Sequence, residues 1–180
     1  MLPKLKNRIF FEFVTISFFP AILIFVSKVT LTFVLSYIFG ISYKISDQGI
    51  LYQNVEDYIY LNNITNILTF IILFSFSLWY LIKAYFLHES HISPKFSVWL
   101  AVQDLAHLVT GSMGIYLRVI SYGFFNWLYT LIIAFYALSG MGSYYVLYVA
   151  ASLTLVYTVC ATLDIERDYL IHLNIKKELY

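Results

Sequence analysis

From Val119 to Leu163 the chain runs for 45 positions without one charged side chain. Wound into a single helix, that stretch would be about 67 Å long, roughly twice the thickness of a ~30 Å hydrocarbon core. Gly140-Met141-Gly142 lies inside it and is the natural place for a break. The stretch therefore predicts a hairpin of two membrane spans, over residues 124–139 and 143–164. The first arm is short, which predicts that it begins deeper in the chain or is re-entrant.

Composition extends this reading to the whole chain. Of 180 residues, 61% are hydrophobic and 12% charged, where soluble domains carry about a quarter charged. A chain of this length makes one domain, which cannot hide so much apolar surface, so lipid must cover part of it. The expected fold is an all-α integral membrane protein, a single transmembrane helical domain over 1–180. The earlier spans fall near 10–40, 58–87 and 98–122.

The first run carries Lys4, Lys6 and Arg8 ahead of it. It is too long for a signal-peptide core and no small-x-small site follows, so it reads as a retained first span. Pro20 should kink it. Its one internal charge, Lys28, is placed to snorkel toward the far head groups. Residues 41–57 hold the first polar stretch and read as a loop. Residues 58–82 carry no charge at all and form the cleanest span. The basic N-terminus points to a cytoplasmic location for that end.

A net charge of +1 leaves no basic footprint for nucleic acid. The lone Cys160 excludes an internal disulfide and any multi-cysteine metal site, and its apolar setting suggests a buried, inert thiol.

Residues 99–122 are the most segregated segment. At about 100° per residue, Gln103, Asp104, His107, Gly111, Gly114 and Arg118 fall in roughly one-third of the circumference. As a membrane span, this helix would turn that polar face inward. Lys83 at the end of the preceding span would then pair with Asp104, and the five residues Lys83, Gln103, Asp104, His107 and Arg118 would form an intramembrane polar seam. As an interfacial helix it would lie flat with its apolar face down. Spanning gives five crossings and lying flat gives four. The single arginine on the polar face and its two glycines favour five.

Three groups could carry chemistry. His88, Glu89 and His91 cluster at a helix end and include the ligand types of zinc, iron or manganese, though the spacing is not that of a metalloprotease. Asp104 and His107 are neighbours on one helix face, where an acid can orient a histidine for proton transfer or metal ligation. Solvation in a polar turn is the plainer reading of the first group, and a structural hydrogen bond that of the Asp104–His107 pair. His107-x3-Gly111 resembles the haem-ligating helix of succinate dehydrogenase membrane anchors. That resemblance implies a b-type haem, which needs a second axial ligand at the same depth. The partner residues of the family pattern are absent. No phosphate loop, dinucleotide fingerprint or nucleophile elbow is present.

Small residues suggest contacts instead. Ala151, Thr154, Thr158 and Ala161 follow helical spacing on the last span, and Gly111 and Gly114 do so on the polar helix. Such residues let backbones approach closely in lipid. With 17 tyrosines and 16 phenylalanines for lipid and partner contact, the expectation is a non-catalytic subunit of a larger membrane assembly, surrounded by lipid and bound to other subunits or to itself. A haem-, metal- or quinone-linked redox protein centred on Asp104 and His107, or a small transporter or proton path along that polar face, are the alternatives.

Overall fold

A computed structural model of the chain describes residues 2–47, 49–88, 92–105 and 112–178. Its elements are α1 (Leu2–Ile38), β1 (Tyr43–Ser46), β2 (Gly49–Tyr52), α2 (Val55–Leu87), α3 (Pro94–Val102), α4 (Ser112–Leu138) and α5 (Tyr144–Glu178). Four helices hold segments long and apolar enough to cross a membrane: Phe11–Ile38, Val55–Leu87, Gly114–Leu138 and Tyr144–Ile171. α3, with nine residues, reaches only about 13 Å and cannot. The architecture fits a helical bundle, with four candidate spans in place of the expected five.

The difference lies in the 98–122 segment. α3 starts after Ser93, whose hydroxyl accepts from Phe96 N, with Pro94 in the first turn where its missing donor costs nothing. It then stops. Leu105 N donates to Leu100 O and Asp104 N to Ala101 O, at 2.8 and 3.1 Å. That crossed pair closes a helix end around a left-handed residue, here Asp104 at φ 57°. α4 takes up the chain at Ser112 and continues through Gly123 to Leu138 without a break. The rest of the expected third span and the expected fourth span are thus one helix of 27 residues, about 40 Å long. The short hairpin arm needs no re-entrant explanation, and residues 114–122 belong to a candidate span.

Two other helix ends use the same crossed pair around a glycine. Gly40, at φ 63°, ends α1, and Gly140, at φ 76°, ends α4. Gly140 breaks the long uncharged run where the sequence suggested. Asp104 occupies the position glycine fills in the other two, at a cost of about 1–2 kcal/mol for a left-handed side chain. Asp104→Gly is therefore expected to leave the protein as stable or raise its melting temperature by a few degrees. Thermal unfolding of the purified protein checks this; a drop of that size would instead indicate a continuous helix across the position.

α1 runs on past Pro20 to Ile38. The polar stretch after it is not a plain loop but carries an antiparallel hairpin, Tyr43 opposite Tyr52 and Ser46 opposite Gly49.

The chain divides into two compact units, each taking a segment of α1, α2, α4 and α5. Unit 1 comprises residues 1–17, 75–123 and 155–180. Its core includes Ala84 on α2, Ile115, Val119 and Tyr122 on α4, and Tyr157 and Ala161 on α5, three or four positions apart along each helix. Tyr157 donates to Val119 O at 2.8 Å, and Ser17 and Ser121 share a hydrogen bond at 3.0 Å. Unit 2 comprises residues 18–74 and 124–154. Its core mixes Leu61, Phe70, Leu73, Tyr129 and Ile133 with the buried polar side chains Asn62, Thr65, Asn66, Thr130 and Thr154. Polar groups turned inward and apolar ones turned out is what a lipid solvent demands.

Candidate functional site

The densest polar site lies in unit 2 and centres on a residue the sequence placed elsewhere. Lys28 does not snorkel away. Its Nζ donates to Asn62 Oδ1 at 2.9 Å, Thr65 Oγ1 at 2.6 Å and Asn66 Oδ1 at 2.5 Å, with Asn62 O at 3.4 Å. All three acceptor residues stand on α2, where the spacing 62, 65, 66 keeps them on one helix face.

The same run of α2 also ties in α4 and the turn that follows it. Tyr129 of α4 donates to Asn66 Oδ1 at 3.2 Å. In the turn between α4 and α5, Met141 O accepts from Asn62 Nδ2 at 3.4 Å, and Ser143 N donates to Asn63 Oδ1 at 2.8 Å. Thr65 Oγ1 in turn donates to Asn62 O. Four side chains in the sequence Asn62-Asn63-x-Thr65-Asn66 thus hold α1, α4 and the α4–α5 turn. Counting charges alone made residues 58–82 look featureless; the amides inside an apolar span were the signal that could have found this site.

A polar cavity of about 210 Å³ opens beside Lys28. Tyr58, Asn62 and Thr65 of α2, Tyr136 of α4, and Ile50 and Tyr52 of the hairpin line it. Burial raises the Tyr52 phenol above its ordinary pKa, so it remains a proton donor at neutral pH. An apolar groove of about 440 Å³ runs between α1 and α4 and also meets Lys28 and Tyr136.

Unit 1 holds a second polar group. His88 is buried, its Nδ1 lies 3.6 Å from Asp168 Oδ1, and its ring sits 5.3 Å from that of Tyr116. Asp164, one turn before Asp168, is buried as well. A carboxylate facing Nδ1 suits a histidine that keeps a proton on that nitrogen. Glu89 and His91, the other members of the expected metal group, lie outside the described residues. Among the described residues no three His, Cys, Asp or Glu side chains are arranged to hold a metal ion.

Of the five residues of the expected seam, four are described. Lys83 is half-buried near the end of α2, and Gln103 and Asp104 are exposed in the turn after α3. His107 and Gly111 lie outside the described residues. Arg118, on α4, stacks over the Tyr80 ring at 5.5 Å and reaches its hydroxyl at 3.4 Å. With α3 ending at Val102 and α4 starting at Ser112, no single helix face joins Asp104 to Arg118. Among the described residues, a methyl group built at Gly114 meets nothing within 4 Å. On α5, Thr154 and Ala161 are buried and Ala151 and Thr158 half-buried; Thr154 shares a hydrogen bond with Thr130 at 3.1 Å. Cys160 is exposed rather than buried, because the inward face of α5 runs through Tyr157, Ala161 and Asp164 instead.

No family model, curated protein or solved structure matches the chain.

Proposed function

We propose that this chain is a non-catalytic, multi-pass membrane protein that acts through helix packing, as one subunit of a larger membrane assembly. The observation that carries this reading is the bareness of α1. Only 6% of its most apolar stretch is buried by the rest of the chain, against 44% for α4. Lys28 anchors it, while Phe18, Ile22, Phe25 and Val29 stand exposed at successive three- and four-residue steps. Helices in lipid associate through close packing and polar contacts rather than through hydrophobicity itself. An exposed apolar row on a helix that its own chain barely covers suits a helix of another subunit or of a second copy.

Charge distribution supports a cytoplasmic N-terminus. With four crossings, Lys4, Lys6, Arg8, Lys83, Lys95, Arg118, Arg167, Lys176 and Lys177 fall on the N-terminal side, and only Lys44 falls clearly opposite. The proton-path alternative needs one polar helix face from Gln103 to Arg118, which α3 and α4 do not supply; the redox alternative centres on Asp104 and His107, and His107 lies outside the described residues.

Photoreactive side chains at Phe18 and Phe25, irradiated in native membranes, test the assembly. The expected result is one protein adduct of the same mass from both positions, absent when the probe replaces Phe135 on α4. A mass of two chains would identify self-association. Lipid adducts alone from all three positions would contradict the reading.

A further inference from the structure

Lys28 brings a charge into unit 2, and every partner it has there is neutral. Its contacts are the amide, hydroxyl and carbonyl oxygens of Asn62, Thr65 and Asn66. No acidic side chain pairs with it among the described residues; of the unit's carboxylates, Asp57 accepts from Asn54 in the first turn of α2. Neutral acceptors satisfy the ammonium's hydrogen bonds but do not balance its charge, which is costly away from water.

Two hollows meet at this side chain, one richer in polar groups than the other. One is the polar cavity under the hairpin, with the Tyr52, Tyr58 and Tyr136 side chains in its wall. The other is the apolar groove, which follows α1 from Ala21 to Val29, a length of about 12 Å. Lys28 and Tyr136 border both.

We propose that this junction binds an anionic amphiphile, with its head group in the polar cavity beside Lys28 and its acyl chain in the groove between α1 and α4. Each half excludes a class of ligand. A free anion has no use for the groove, and a zwitterionic lipid, whose phosphate is already balanced by its own ammonium, gains less from Lys28. A carboxylate or phosphate that carries a net negative charge on an acyl chain uses both. Phenolic donors around the head would replace part of the water it leaves behind.

The test uses the full chain, stripped of lipid in a neutral detergent. Palmitate, phosphatidylglycerol, phosphatidylcholine and inorganic phosphate are titrated separately, and bound adducts are counted by native mass spectrometry. The expected result is a single adduct of palmitate, phosphatidylglycerol or both, with phosphatidylcholine and phosphate at least about tenfold weaker, the scale of one charge-assisted hydrogen bond. Palmitate alone assigns the site to single-chain acids; phosphatidylglycerol alone assigns it to phospholipids. Lys28→Gln should weaken the adduct at least about tenfold. Ala21→Phe fills the groove while leaving every partner of Lys28 in place, and it should weaken the adduct too, so the test stands even where Lys28→Gln fails to fold. Equal binding of phosphatidylcholine, equal binding of phosphate, full affinity in either variant, or no adduct at all would overturn the proposal.

Discussion

Asn66→Leu is expected to lower stability by about 2–3 kcal/mol, the range for stranding a charged donor that has lost an acceptor. Asn66 is 2% exposed, and its Oδ1 serves both Lys28 and Tyr129. The leucine fills similar space and offers neither of them an oxygen. In thermal unfolding this is a fall on the order of 5–10 °C. A neutral bond in lipid is worth far less, about 0.6 and at most about 1.7 kcal/mol, so Thr130→Val, which takes away the hydroxyl that pairs with Thr154, should cost less than Asn66→Leu. The ordering within the Lys28 site is sharper still. Lys28→Met removes the charge along with its need, and Asn62, Thr65 and Asn66 can re-pair among themselves. It should cost less than Asn66→Leu, and the double variant should be more stable than Asn66→Leu alone. Additive losses would show that the ammonium is not held by these oxygens.

The second large effect is expected at Gly142→Ala. A methyl group built there stands 2.8 Å from Ala137 N and 2.9 Å from Tyr136 C. Both are backbone atoms at the end of α4, where Met141 N donates to Tyr136 O and Gly140 N to Ala137 O. The overlap can be relieved only by opening that end, and overpacking of this kind costs about 1–3 kcal/mol. The loss should appear as a melting temperature several degrees lower. Gly114→Ala is the matched control. Nothing lies within 4 Å of its new methyl group, so alanine's helix propensity should make the change neutral or favourable by up to about 1 kcal/mol.

These two sites also mark what the sequence could and could not reveal. The long uncharged run and the glycines within it were enough to place the α4–α5 turn, because lipid thickness limits helix length and glycine relieves left-handed strain. The end of α3 was hidden by the same rule. Its left-handed residue is Asp104, which reads on a helical wheel as part of a polar face. The polar sector through 99–122 was therefore partly a product of continuing a helix past its end. Lys28 was misplaced for a different reason. Distance along α1 allowed it to reach the head groups, and only the packing of α2 against α1 revealed closer oxygens. The Asn62-Asn63-x-Thr65-Asn66 run was visible throughout, but uncharged amides leave a span's charge count at zero. The bareness of α1 is a property of the packed chain and has no signature in α1 alone.

The central claim is that α1, α2, α4 and α5 cross the membrane and α3 does not. Single cysteines at Asp47, Lys95 and Asn174, in a background where Cys160 is alanine, test it in sealed membranes with a reagent that cannot pass the bilayer. The expected result is that Lys95 and Asn174 label from one side, the cytoplasmic one, and Asp47 labels only from the other. Labelling of Lys95 and Asn174 from opposite sides would restore a fifth crossing and contradict the account.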